Sequence, residues 1–136
     1  MVEIILSIKP KWAEKIYSGE KRLEYRKSSP KVALDESFKA YMYESESAGL
    51  ITGEVIFSSH RIYSNSDCYD ENLEGCVDFD SLNDYWNKGN GKLHCWRVGQ
   101  QKKYEEPVKL YEAFSIKRPP LSWMYNHCFP VECELL

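Results

Sequence analysis

The densest chemistry in this sequence lies in one stretch, Gly19-Glu20-Lys21-Arg22-Leu23-Glu24-Tyr25-Arg26. After Gly19 the polarity alternates with a period of two, the pattern of a strand. Lys21, Leu23 and Tyr25 then share one face, and Arg22, Glu24 and Arg26 the other. Same-face neighbours on a strand are separated by roughly 7 Å, so long arginines can converge on Glu24 or on a ligand beside it. Lys21 stands at the mouth of the turn, where backbone twist can carry it over either face. A carboxylate among such cations is expected to be ionised at neutral pH. It would accept hydrogen bonds from a base amino group or hold a lysine, and it would be a poor general acid. Lys21 is expected to remain protonated beside it, better placed to bind phosphate or an oxyanion than to attack as a nucleophile. The plainer alternative is a solvated edge strand whose charges discourage aggregation. Periodicity leaves both readings open.

Other chemistries find less support. His60, His94 and His127 belong to no recognisable nucleophile motif. The pairs His94-Cys95 and His127-Cys128 suggest zinc. Adjacent strand residues face opposite sides, however, so each pair supplies one ligand easily, and four would require Cys133 or His60 as well. The H-x-E and P-C-x-x-C signature of zinc deaminases is absent. Gly89-Asn90-Gly91-Lys92 is too short for a phosphate-cradling loop and fits a helix-to-strand turn. No metal and no cofactor are therefore expected. Ten tyrosines and four tryptophans offer stacking surfaces, with Trp12 and Trp123 of most interest. For any one aromatic, core packing is the commoner use.

The elements that must position these groups can be read in order. Pro10 suits a first helical position, Trp12, Ala13, Ile16 and Tyr17 form a one-sided stripe, and Gly19 stands where a left-handed residue ends the helix. Strands are predicted over Glu3–Ile8, Lys21–Lys27, Phe38–Tyr43, Leu50–Ser59 and Lys92–Gly99, with a further strand or extended segment over Pro107–Phe114. Ser28-Ser29-Pro30 and Ser47-Ala48-Gly49 read as turns. Gly53 marks a bulge or a close backbone approach. Ser64 and Asp67 have capping-box spacing before a short helix ending near Gly75, with Tyr69, Leu73 and Cys76 as its stripe. Asp78 or Asp80 can cap a second helix over Ser81–Lys88, with Leu82, Tyr85 and Trp86 on one face and Gly89 at its end. Pro119-Pro120 stiffens the approach to Leu121–Tyr125, and the tail Phe129–Leu136 is apolar enough to dock.

At 136 residues the chain is one domain by length, and 43% hydrophobic with 14% aromatic content argues for an ordered core. No apolar run is long enough to span a membrane, and the opening Met1–Leu6 reads as a strand, not a signal peptide. Five cysteines (Cys68, Cys76, Cys95, Cys128 and Cys133), odd in number and without a CxxC pair, read as reduced core residues of a cytoplasmic protein. The net charge of −3 hides a partition. Residues 1–31 hold eight Lys/Arg against four acids, residues 32–87 two against twelve, and residues 88–136 eight against five. The acidic middle is accounted for by two small helices with solvated outer faces. Such a balance disfavours long duplex DNA and leaves room for a local basic pocket.

Gly19, Lys21, Glu24 and Arg26 match the GxKxxExR signature of the ASCH (activating-signal-cointegrator homology) family. The opening Ile5-Leu6-Ser7-Ile8-Lys9-Pro10 and the closing Tyr104-Glu105-Glu106-Pro107 and Pro119-Pro120-Leu121-Ser122-Trp123 resemble small single-domain prokaryotic members. The resemblance implies an α+β fold: a PUA-like mixed β-barrel of about five or six strands with two or three peripheral helices, as one domain over residues 1–136. It implies a pocket for RNA or a single, often modified, nucleobase, lined by Lys9, Lys21, Glu24 and Arg26 and closed by Ser122 and Trp123. The expected role is an RNA- or nucleobase-binding module in RNA metabolism or transcription-linked regulation. The alternative is a hydrolase acting on RNA or a modified nucleoside, with Lys21 and Glu24 as its catalytic pair. One branch of the family cleaves the amide of 4-acetylcytidine with a lysine, a threonine and a glutamate; here Lys21 matches, but Glu24 replaces the threonine, removing the hydroxyl nucleophile. Another branch is a metal-dependent ribonuclease. A third reading is a protein-interaction domain using the acidic middle.

Overall fold

Val2–Ile8, the first strand (β1), is apolar on both faces because both are covered. Ile4, Leu6 and Ile8 enter the main core, while Ile5 joins Ile51 and Leu110 on the opposite side of the sheet. In the computed structural model, which describes residues 1–46, 49–64, 72–88 and 91–126, β1 runs parallel to β3 (Phe38–Glu44) and antiparallel to β6 (Trp123–Tyr125). Two long strands, β4 (Leu50–Tyr63) and β5 (Leu93–Lys109), and the short β2 (Leu23–Arg26) complete a six-stranded mixed sheet in the order β2-β5-β4-β3-β1-β6. The sheet curls into an open half-barrel, the expected α+β PUA-like architecture. Its edge strands, β2 and β6, leave a seam.

The main core lies inside the curl. Phe38, Phe57 and Trp96 meet there with ring centroids 5.1–5.4 Å apart. Such aromatic pairs add about 0.5–1.5 kcal/mol each to the area they bury. Helix α1 (Pro10–Ser18) packs Ala13 and Ile16 against this core, begins with Pro10 and ends at Gly19 with φ +87°. A smaller core joins Leu23 and Tyr25 of β2 to Leu82 and Trp86 of α3 (Phe79–Asn87). Asp78 caps α3, its carboxylate accepting from the Ser81 amide at 2.8 Å, so the helix starts two residues before the predicted Ser81. The single turn α2 (Asn72–Gly75) falls at the end of the polar segment where a short helix was expected. The pairing of Ser64 with Asp67, the stripe residues Tyr69 and Leu73, the helix end at Gly89, much of the turns at Ser47-Ala48-Gly49 and Gly89-Asn90-Gly91-Lys92, and the tail from His127 lie outside the described residues or rest on side chains outside them.

Two expectations need correcting. The strand predicted to stop at Gly99 continues through Gln100–Lys103 and Pro107 to Lys109, and the segment Leu110–Phe114 is a single helical turn, α4, rather than part of a strand. Beyond Arg97, β5 pairs with β4 but no longer with β2, so its second side is an edge. An edge tolerates proline and favours charge, which erased the hydrophobic alternation. Secondly, Lys21 precedes β2 instead of lying within it. Gly53 shows both features expected of it: the β4–β5 register shifts beside it, and a Cβ there would strike the Lys102 carbonyl.

Candidate functional site

The seam is where the signature charges meet. At the end of α1 the left-handed Gly19 turns the chain, and the Lys21 amide bonds back to the Lys15 carbonyl at 2.9 Å, sending the Lys21 side chain inward. Lys21 is 2% exposed. Its ammonium donates to the Gly75 carbonyl and lies 5.0 Å and 5.1 Å from the ring centroids of Trp12 and Tyr25. Gly75 is required for this approach, since a Cβ there would enter the Tyr25 ring.

On β2, Glu24 and Arg26 face the seam while Leu23 and Tyr25 enter the smaller core, as the alternation predicts. Arg26 donates through Nε and Nη2 to a single oxygen, Glu24 Oε2, at 2.8 and 2.7 Å. The rest of its guanidinium spans the seam: Nη2 reaches the Ser7 carbonyl of β1 at 3.0 Å, and Nη1 reaches Ser122 Oγ at 3.1 Å. One side chain thus ties β2 to β1 and to the residue preceding β6, a use of the planar five-donor fork that lysine could not match. Glu24 Oε1 remains, with Lys21 Nζ 3.8 Å away. Arg22 does not join them. It is exposed, near Glu74, and its amide donates to the Glu74 carbonyl at 2.6 Å.

Beside this cluster opens a cavity of about 660 Å³, within the usual range of small-molecule sites. Lys9, Lys21, Glu24, Arg26 and Ser122, all expected at the site, line it, and so does Trp12. Trp123 does not. Its indole donates to Ser28 Oγ at 3.1 Å and its ring packs edge-on to Trp96 and Tyr125. Sequence reasoning missed the opposite wall, made by Val77, Ser81, Leu82 and Tyr85 from α3 and the residues before it, and missed Lys27 and Leu121. The Lys27 ammonium sits 4.8 Å from the Tyr85 ring. The only available signal was the one-face stripe of Leu82 and Tyr85.

Burial lowers the Lys21 pKa from the ordinary lysine value, while the nearby Glu24 carboxylate opposes that shift. The pairing of Lys21 with Glu24 is legible in the sequence; the burial that opposes it is not. Burial also raises the Tyr85 phenol. Away from the cavity, Ser29 Oγ lies 2.6 Å from His94 Nδ1 and accepts from the Trp96 indole at 2.9 Å. Since that indole only donates, the serine hydrogen is left for His94. Among the described residues no three His, Cys, Asp or Glu side chains gather as a metal site. His127, Cys68, Cys128 and Cys133 fall outside the described residues. No helix among the described residues is long and apolar enough to cross a membrane.

A sequence profile of the ASCH domain matches residues 6–119. No curated protein matches the chain in sequence. The crystal structure of ASCH from Zymomonas mobilis is similar with a TM-score of 0.75 at 21% identity, covering 90% of this chain and 86% of that one. A serine-to-alanine mutant of the same protein gives a TM-score of 0.76 at 20% identity, covering 90% and 87%. Its tyrosine-to-phenylalanine mutant gives 0.75 at 20% identity, covering 90% and 88%. At these identities the likeness establishes the fold.

Proposed function

The chain belongs to the ASCH domain family, and from that premise we propose that it is an RNA- or nucleobase-binding module acting in RNA metabolism, with the seam cavity as its ligand site. The observation that carries this reading is the convergence of Lys21, Glu24 and Arg26 on one concave site that Trp12, Tyr85, Val77 and Leu82 also line. A planar base can stack on Trp12 or Tyr85, each stack contributing about 1–3 kcal/mol. Glu24 Oε1, not engaged by Arg26, is placed to accept from a base N–H. Ser122 Oγ accepts from Arg26 and retains its own hydrogen to donate.

The test is binding of short fluorescent single-stranded RNAs to the parent protein and to a Lys21→Ala/Arg26→Ala variant. The variant should lose binding by at least tenfold while its melting curve remains cooperative. Because Arg26 also ties the seam, Trp12→Ala serves as a second variant, expected to weaken binding without opening the seam. Undiminished binding by both variants would refute the site.

The burial of Lys21 and Glu24 side by side at the cavity supports a hydrolase as a second reading, in which the Lys21 ammonium stabilises an oxyanion and Glu24 positions water. Incubation with acylated nucleosides and short RNAs, followed by mass spectrometry, decides it. No turnover at high protein concentration ends the enzyme reading and leaves the binding module.

A further inference from the structure

We infer that the ligand of the seam cavity brings a negative charge of its own: it is a nucleotide whose phosphate approaches Lys21, not an uncharged nucleoside. This rests on the proposed nucleobase-binding role and narrows it. The first observation is a charge mismatch in a buried place. Lys21 is 2% exposed, Glu24 5%, and the Arg26 side chain 11%, so two cations share one carboxylate. The sharing is unequal. Glu24 gives Oε2 to Arg26 in two contacts at 2.8 and 2.7 Å, while Lys21 stands 3.8 Å from Oε1. Among the described residues, the other groups the Lys21 ammonium bonds to or packs on are uncharged: a peptide carbonyl and two ring faces.

The second observation is the lining as a whole. Lys9 and Lys27 are exposed and add two more cations, and Glu24 is the sole acid among the described lining residues. A chain with a formal net charge of −3 therefore carries a concavity of the opposite sign, which concentrates anions and focuses the field within low-dielectric walls. A buried cation without a full counter-charge is costly, and an anion delivered by the ligand removes that cost. Ser28 Oγ accepts from the Trp123 indole and, like Ser122 Oγ, keeps a hydrogen for phosphate oxygens.

A consequence follows for protons. Among the described residues, the charged or titratable groups around Lys21 are Glu24, Tyr25 and Arg26 from β2 and Cys76, the residue after α2. Burial lowers the Lys21 pKa from the ordinary lysine value, and an anion beside it raises it. Phosphate binding should therefore raise the Lys21 pKa, taking up protons wherever the free amine titrates, and affinity should fall as pH rises through that range.

The experiment is isothermal titration calorimetry of the intact protein with four probe types: ribonucleosides, their 5′-monophosphates, ribose 5-phosphate and inorganic phosphate. Titrations at a series of pH values from neutral to alkaline, each in two buffers of different ionisation enthalpy, count the protons. The monophosphates should bind at least tenfold more tightly than the nucleosides, with proton uptake, and Lys21→Met should reduce that advantage to threefold or less. Equal binding of nucleoside and monophosphate overturns the anion inference and leaves the nucleobase reading standing. Ribose 5-phosphate binding as tightly as the monophosphates keeps the anion inference and overturns the nucleobase reading. No binding of any probe overturns both. Should Lys21→Met not fold, the ratio and proton count of the parent protein decide alone.

Discussion

Glu24 holds two buried cations, so replacing it with glutamine should be far more damaging than neutralising the lysine it faces. Glutamine keeps the size and one acceptor but removes the charge. Arg26 would retain Ser7 and Ser122, whereas among the described residues Lys21 would keep the Gly75 carbonyl and two ring faces. Removing one partner of a buried pair costs about 3–5 kcal/mol, and a charge pair about 4 Å apart at an effective dielectric near 20 interacts by about 4 kcal/mol. Retained hydrogen bonding to Arg26 places Glu24→Gln at the lower end, about 3 kcal/mol. Lys21→Met leaves the Glu24–Arg26 pair intact and puts an apolar chain between Trp12 and Tyr25, so stability should change by less than about 1 kcal/mol or rise. The double variant should recover about 2 kcal/mol of the loss, a coupling expected only of groups in contact. Urea unfolding at pH 7, followed by tryptophan fluorescence, measures all three. A Glu24→Gln loss below about 1 kcal/mol, or a Lys21→Met loss as large as that of Glu24→Gln, would refute the buried-pair account.

Two further predictions test neighbouring parts of the structure. Gly75→Ala places a Cβ inside the Tyr25 ring; it should displace α2, destabilise the protein by about 1–3 kcal/mol and weaken nucleotide binding through Lys21, and parent-like binding and melting would show that the close approach is not needed. Burial holds both His60 and His94 below the ordinary histidine pKa, and His60 Nδ1 is buried with no hydrogen-bond partner among the described residues. Their unfolded forms therefore take up protons first as pH falls below about 6.5. Stability is greatest above that value and declines by up to about 1.4 kcal/mol per pH unit per histidine until the folded pKa is reached. The depressed carboxylates Glu54 and Glu74 act in a separate, more acidic window. Comparing urea midpoints at pH 7.5 and 5.5 for the parent and His60→Gln checks the sign, and a parent protein equally stable at both would overturn it.

What the sequence made legible was local. Pro10 and Gly19 bound α1, Asp78 caps α3, and alternation after Gly19 places Leu23 and Tyr25 opposite Glu24 and Arg26, because each depends on residues within one or two turns of the chain. The identity of the seam partner came from the resemblance instead. Nothing in local spacing joins Arg26 to Ser122, 96 residues away, or brings the Gly75 carbonyl to Lys21 across 54. Lys21 divides in the same way: its carboxylate partner is three residues off and visible, while part of what buries it comes from α2 and is not. Trp123 and Tyr85 make the same point in opposite directions, since an aromatic beside the closing serine turns away to Trp96 and Tyr125, and one from the acidic middle lines the cavity. A half-barrel left unclosed between β2 and β6 needs something to bridge its edges, and here the bridge is Arg26 with its counter-charge Glu24. The same charges therefore serve fold and cavity together, which is why a variant that disables the site must be shown to fold before its loss of binding is read as chemistry.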